Sequence, residues 1–241
     1  MFTLHNGDCL QVMPSIPSGS IDAIITDLPY GTTACKWDTV IEFSPMWKEV
    51  KRVLKPNGAF ITTASQPFTS ALIMSNPSMF RDEWIWEKSK ATRHLDAAIR
   101  PMKAHENIIV FGSKLPKFNP QKYYSGRKDF RNVFTSKSKY VEILGMEKTI
   151  HSHSKDDGTR YQKSVLYYEN NDTTQQKHPT QKPMGLFAFL CLAYSDEGDI
   201  ILDIAMGSGT TIEAAERTGR NSIGIEKDEG IFQSAKKRLE A

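Results

Sequence analysis

"DIILDIAMGSGTTIEAAERTGRNSIGIEKDE", residues 199–229, decides the fold. "DIILD" is a short apolar run closed by an acid, the pattern of a strand buried on both faces. A glycine turn, a helical stretch "TIEAAERTG" and a second apolar strand, "NSIGIE", follow it. That order is a βαβ mononucleotide-binding unit, and its crossover requires the two strands to be parallel. Gly207 and Gly209 let the backbone bend tightly and approach a ligand. The turn lacks the Gly-Lys-Ser/Thr ending of a phosphate loop and the third glycine of a dinucleotide fingerprint. Glu226 ends the second strand, where an acid accepts hydrogen bonds from ribose hydroxyls, and Asp203 ends the first. A ribose-binding acid without a phosphate cradle suggests an adenosine-bearing cofactor that lacks a pyrophosphate. S-adenosylmethionine fits that description.

The preceding chain supplies the rest of an α/β sheet. "FTLHNGD" (2–8), "SIDAIITD" (20–27), "AFITTAS" (59–65), "EWIWEK" (83–88) and "ENIIVFG" (106–112) read as strands. "SPMWKEVKRVLKPNG" (44–58) reads as a helix capped by Ser44, with Pro45 in its first turn and Trp47, Val50 and Leu54 on one face. Pro56, Asn57 and Gly58 should stop it. "KPMGLFAFLCLAY" (182–194) is a second, densely apolar helix with Pro183 near its start. The expected fold is Rossmann-like, with a mixed, mostly parallel sheet and helices on both faces. "IITDLPYGTT" (24–33) ends a buried strand in an acid, a proline, a tyrosine and a glycine. Ligands gather outside the carboxyl ends of such strands, although Asp, Pro and Gly are also ordinary turn residues.

From Lys114 to Lys177 the alternation stops. This stretch carries a net charge of +6 within a chain whose total is +3, and aromatics are scattered through it. Disordered linkers are poor in aromatics, so a small inserted lobe is expected. Basic residues interleaved with aromatics suit nucleic-acid backbones and bases, although such aromatics can also build only a local core.

The bulk composition, 39% hydrophobic and 24% charged, is that of an ordinary globular protein. No apolar run reaches membrane-spanning length and "MFTLHNGDCL" is not a signal peptide, so a cytoplasmic location and no membrane partner are expected. Cys9, Cys35 and Cys191 fall at no metal-ligand spacing, and His151 and His153 form a close pair with no further ligand nearby, so no metal site is expected.

Taken together, these segments resemble the amino-group DNA methyltransferases, and specifically their circularly permuted β class. That family carries an Asp-Pro-Pro-Tyr-type tetrapeptide ahead of the cofactor turn, with a target-recognition insert between them. Here "DLPY" (27–30) precedes "DIAMGSGTT" (203–211), with the basic lobe between. "NGDCL" (6–10) is similar to the family's adenine-side cofactor segment and "HPTQKP" (178–183) to the segment before the cofactor turn. "WEK" (86–88) and "HENIIVF" (105–111) fall where its later sheet motifs are expected. The resemblance divides the chain into a catalytic half (1–113), a target-recognition lobe (114–177) and a cofactor-binding half (178–241).

Carried over by position, the resemblance implies that Asp8 and Cys9 lie near the adenine of S-adenosylmethionine and that Glu226 holds the ribose. Thr180 and Lys182 would face the methionine end, and Asp27 would also belong to the cofactor-binding set. Asp203, Ala205 and the Gly207, Ser208, Gly209 and Thr210 backbone would form the floor. There are two departures: Ile204 and Ala205 stand where the family has Pro and Phe, and Leu28 replaces the first proline of the tetrapeptide.

The implied activity is methyl transfer to the exocyclic N6 amine of adenine in double-stranded DNA, with the target base flipped out of the helix. The Asp27 carboxylate and Leu28 carbonyl would accept the amine hydrogens, Pro29 would hold the loop extended, and Tyr30 would stack on the base. An acid at the head of the tetrapeptide leans toward adenine. Cytosine-N4 in DNA, adenine-N6 in RNA and an inactive nucleic-acid-binding relative remain open as alternatives. Many members of the family form homodimers.

Overall fold

The computed structural model describes residues 1–32, 38–124, 158–170 and 182–240. Thr180, Cys35, His151 and His153 lie outside the described residues. Contacts along the chain divide it into two compact units, Met1–Asn119 with Lys163–Ala241, and Pro120–Gln162.

The elements of the larger unit begin with β1 (Phe2–Asn6), α1 (Cys9–Val12), β2 (Ile21–Thr26), α2 (Phe43–Val53), β3 (Leu54–Ala64) and α3 (Phe68–Ser75). The long strands β4 (Phe80–Thr92) and β5 (Lys103–Phe111) follow. In the smaller unit β6 (Lys122–Tyr124) pairs antiparallel with β7 (Thr159–Tyr161). The larger unit then resumes with β8 (Val165–Tyr168), α4 (Met184–Tyr194), β9 (Ile200–Asp203), α5 (Thr210–Arg217), β10 (Asn221–Glu226) and α6 (Glu229–Leu239).

Eight strands form one sheet in the order β1-β10-β9-β2-β3-β5-β4-β8. All neighbours are parallel except where β5 runs against β3 and β4, so only β5 is reversed. The mixed, mostly parallel sheet expected from the sequence is therefore present. Its strands alternate side chains between two covered faces, as the pleat requires. Ile24, Phe60, Ile109 and Phe111 join Met46, Trp47 and Val50 of α2 and Leu72 of α3 in one core. Ala23, Ile25, Ile61, Ile108 and Val110 meet Leu186, Phe187 and Leu190 of α4 and Ala214 and Ala215 of α5 on the other face. Each such aliphatic side chain contributes roughly 1.5–3 kcal/mol on burial.

The helix expected over 44–58 is shorter and begins earlier. Glu42 stands at its cap position without a side-chain cap bond, and Ser44 lies inside the first turn. The helix stops at Val53, and Pro56, Asn57 and Gly58 lie in β3 opposite a register shift in β2. A Cβ at Gly58 would come within 2.8 Å of the Asp22 carbonyl, so a glycine lets the two strands close after the irregularity.

The basic stretch 114–177 is also divided. Phe118 packs beside Trp84 and Tyr194, while β8 joins the main sheet along β4. Three of the scattered aromatics, Phe118, Tyr167 and Tyr168, thus belong to the larger unit, whereas Tyr123, Tyr124 and Tyr161 are exposed on the smaller one.

Candidate active site

The sheet gathers its polar side chains at one edge. Because β5 is reversed, its beginning lies beside the ends of its parallel neighbours. Strands β10, β9, β2, β3, β5 and β4 therefore bring Glu226, Asp203, Asp27, Thr63, Glu106 and Lys88 to the same side.

At the β9 end, Gly207 and Gly209 both adopt left-handed backbone, with φ of 50° and 80°. Their surroundings differ. A Cβ on Gly209 would meet Leu239 of α6 at 2.9 Å, whereas one on Gly207 would meet nothing within 4 Å. Gly209 is a packing glycine, and Gly207 faces open space. The Gly207 amide donates to Glu226 Oε2 at 2.9 Å, and the Asp228 amide donates to Oε1 at 2.8 Å. The acid expected to hold a ribose is thus tied by backbone amides to the glycine turn. Arg238 Nε donates to the Ser208 carbonyl at 2.9 Å, and Ser208 and Thr210 share a hydroxyl contact of 3.3 Å.

Asp8 caps α1 through the Leu10 amide, and its carboxylate accepts Lys227 Nζ at 2.9 Å. Slight burial raises its pKa, but the lysine bond and the amide together hold it below the usual value. The adjacent Cys9 is buried in the core, and burial, assisted by the Asp8 charge, pushes its thiol up to about 11. Cys9 and Cys191 are both buried free thiols.

Asp203 connects the two halves of this edge. It is 2% exposed, accepts the Thr26 hydroxyl at 2.7 Å and the Ala205 amide at 3.1 Å, and burial raises its pKa to about 6. Ile204, at the position where the resembling family has proline, is buried in the core beside β2, and Ala205 is half-buried.

Asp27, Leu28, Pro29 and Tyr30 leave the end of β2. Three donors converge on Asp27 Oδ1: the Thr63 hydroxyl, the Tyr30 hydroxyl at 3.0 Å and Lys182 Nζ at 3.2 Å. Among the described residues, Oδ2 accepts none. The Leu28 side chain is 3% exposed and packs in the core, and its amide lies 3.5 Å from the Thr62 hydroxyl. Among the described residues its carbonyl accepts no hydrogen bond either. The Tyr30 ring stacks on Phe68 with centroids 5.2 Å apart. Its hydroxyl also reaches Glu106 Oε2 at 3.3 Å, and burial, reinforced by the Asp27 and Glu106 charges, keeps the phenol protonated.

Lys182, just before α4, lies between Asp27 and Glu106, 2.8 Å from the latter. Burial opposes its charge, but the two carboxylates hold its pKa above the usual lysine range. Glu106 also pairs with Lys88. Burial would raise the Glu106 pKa, yet Lys182 and Lys88 hold it at about 2.

Glu106, Lys88, Thr63 and Phe68 received no role from the sequence. In the sequence Glu106 and Lys88 stand out only as members of strand segments. Their signal was an ionisable residue beside an apolar run at a strand end, a position buried in a covered sheet.

A family model described as a DNA methylase, covering N6 and N4 enzymes, matches residues 21–237. The chain belongs to this DNA methylase family. Among curated relatives, this methylase is 28% identical over 255 residues to the type II methyltransferase M.HpaI of Haemophilus parainfluenzae, covering 97% of the chain and 73% of the relative. It is 29% identical to the type II methyltransferase M.HinfI of Haemophilus influenzae, over 98% of the chain and 68% of the relative. Among solved structures, the methylase matches the M1.HpyAVI–SAM complex with a TM-score of 0.64 and 24% identity over 99% of this chain and 100% of that one. It also matches the cytosine-N4-specific PvuII DNA methyltransferase with a TM-score of 0.66 and 16% identity over 99% and 88% of the two chains. At these identities the two structures share the fold of the methylase. No helix among its described residues is long and apolar enough to cross a membrane, and no group of three or more potential metal ligands occurs among them.

Proposed function

We propose that this protein transfers a methyl group from S-adenosylmethionine to the N6 amine of a flipped-out adenine in duplex DNA. The observation that carries the reading is the state of Asp27. Its Oδ1 is engaged by Thr63, Tyr30 and Lys182, while among the described residues Oδ2 and the Leu28 carbonyl accept no hydrogen bond.

The glycine turn fits the cofactor. Gly207 has open space on its Cβ side, and the Glu226 carboxylate is fixed beside it with lone pairs left for a ribose diol. Asp8, Cys9, Asp203, Ala205, Ser208, Gly209 and Thr210 would line the rest of that site, with Lys182 toward the methionine end. When bound, the cofactor supplies an already activated methyl group.

The protein's task is to prepare the amine. The lone pair of an adenine amine is delocalised into the ring, which makes it a weak nucleophile. Two acceptors aimed at its hydrogens favour a pyramidal nitrogen with a directed lone pair, an interaction that strengthens as charge develops. Tyr30, backed by Phe68, would stack on the extruded base, worth about 1–3 kcal/mol. Pro29 restrains Leu28 to extended backbone, which keeps the carbonyl in place. The acid at the head of the tetrapeptide supports adenine over cytosine. The glycine turn following the tetrapeptide in the chain supports the permuted arrangement, with a catalytic half in 1–113, target recognition in 114–177 and cofactor binding in 178–241.

Duplex DNA incubated with methyl-labelled S-adenosylmethionine and then digested to nucleosides tests this. Labelled N6-methyladenine is the expected product. Labelled N4-methylcytosine alone would overturn the base assignment, transfer to RNA but not DNA would overturn the substrate, and no transfer would overturn the activity.

A further inference from the structure

The connection between β4 and β5 projects from the same sheet edge and presents apolar side chains to solvent. Leu95 is 101% exposed and Ile99 83% exposed. The tip is locally organised: the amides of Asp96 and Ala97 bond back to Arg93 and His94, and those of Ile99 and Arg100 to Asp96. The Arg100 guanidinium also pairs with Asp96. Exposure of Leu95 and Ile99 thus accompanies a folded turn, one that holds Arg93 in left-handed backbone with φ of 69°. That conformation is uncommon for a residue with a side chain.

The surroundings of these two residues are cationic. Lys90, Arg93, Arg100 and Lys103 lie between residues 90 and 103, with Asp96 the only acid in that span. The base of the tip adjoins the active edge: Lys103 pairs with Thr92 beyond a register shift that follows the pairing of Glu87 with His105, the residues adjacent to Lys88 and Glu106. Burial lowers the Lys103 pKa while the Glu106 charge raises it, so the two groups lie within electrostatic reach.

An apolar tip ringed by cations, beside a site whose substrate base must leave a duplex, has the chemistry of a wedge. Apolar side chains of this size insert between base steps, while surrounding lysines and arginines hold phosphates. We infer that Leu95 and Ile99 enter duplex DNA and occupy the stack vacated by the flipped base, with Arg93, Arg100 and Lys103 on the flanking phosphates. This rests on the methyl-transfer reading above and adds the element that opens the helix.

The test is the double variant Leu95→Ser, Ile99→Ser, assayed with labelled S-adenosylmethionine on unmethylated bacterial DNA, native and heat-denatured. Transfer to native duplex is expected to fall at least tenfold while transfer to denatured DNA stays within about twofold, because no stack has to be opened there. Equal losses on both forms would overturn the wedge, as would unchanged transfer to duplex. A shift from dimer to monomer on gel filtration would instead assign the tip to a subunit interface and overturn the inference. Wild-type protein that methylates neither form would refute the parent reading. The melting temperature and cofactor affinity of the variant are expected to match wild type, because both side chains are exposed and distant from the glycine turn.

Discussion

Lys182 Nζ stands 2.8 Å from Glu106 Oε2 and 3.2 Å from Asp27 Oδ1, so one ammonium joins the tetrapeptide acid to an acid on the reversed strand. The link reaches from a residue before α4 across to β2 and β5. With Lys88 on the other Glu106 oxygen and Tyr30 between the acids, the cluster holds the loop of residues 27–30 by charge and hydrogen bonds together.

Glu106→Gln should destabilise the protein and slow methyl transfer. Breaking a buried pair leaves charge uncompensated, at a cost of about 3–5 kcal/mol. The pH dependence follows from the depressed pKa of about 2. A carboxylate held below its unfolded value contributes stability above that value and loses it as pH falls through the folded one. The contribution, on the order of 3 kcal/mol, is full above about pH 4.5 and fades toward pH 2. Thermal melts of wild type and variant should differ most at neutral pH and converge under acid. A constant difference across that range would remove Glu106 from its role as the counter-ion.

Asp203→Asn should act in the opposite sense. The Asp203 pKa is raised to about 6 by burial. Its ionised form is therefore less favourable in the folded protein than in the unfolded one. Stability falls as pH rises from about 4 to 6, and the penalty, up to roughly 3 kcal/mol, remains above that. The amide keeps an oxygen to accept from Thr26 and Ala205, so melts above pH 7 should show the variant at least as stable as wild type, with the gain vanishing near pH 4. Cofactor affinity should drop in the same variant. Retention of a destabilising buried acid is the usual mark of a functional position.

The sequence made the sheet and the glycine turn legible because buried parallel strands and glycine-dependent backbone have local signatures. The pairing of Glu106 with Lys88 and Lys182 was not legible. It depends on β5 running against its neighbours, which places the start of that strand at the carboxyl edge, and strand direction is set by connections far from the residue. The end of α2 differs from the sequence expectation for a related reason. Pro56, Asn57 and Gly58 have the chemistry of a helix stop, yet they serve a strand irregularity whose partner, Asp22, is distant in sequence. The divided lobe follows the same rule, since Tyr168 and Phe118 sit among basic residues in sequence but against the main sheet and α4 in space.

Leu28→Ala should separate stability from chemistry. The side chain is buried in the core, and truncating such a leucine costs about 2–5 kcal/mol. The proposed contribution to methyl transfer is the main-chain carbonyl, which alanine retains. Chemical denaturation should show the loss, while the turnover number measured well below the melting point should stay within a few-fold of wild type. A large loss of turnover in a variant that is still folded would show that the side chain itself shapes the base pocket.

Asp27→Ala should remove methyl transfer and leave cofactor binding within about tenfold. Oδ2 is the acceptor proposed for the amine, and deleting a positioned group that acts on developing charge costs about 100-fold or more in turnover. The Glu226 carboxylate and the open face of Gly207 do not depend on Asp27, since both are fixed through backbone amides of the β9 and β10 ends. Lys182 retains Glu106 as a partner, so the fold should survive. Asp27→Asn is the sharper companion. It preserves the shape of the side chain but presents an NH2 group in place of one oxygen. If that group turns toward the amine, it repels the hydrogens it should accept; if it turns inward, it faces the donors Thr63, Tyr30 and Lys182. Both orientations disfavour catalysis, so the asparagine variant should be nearly as inactive as the alanine one. Isothermal titration with the cofactor, set beside transfer assays on native DNA, distinguishes loss of chemistry from loss of binding, and full activity in either variant would refute the two-acceptor mechanism.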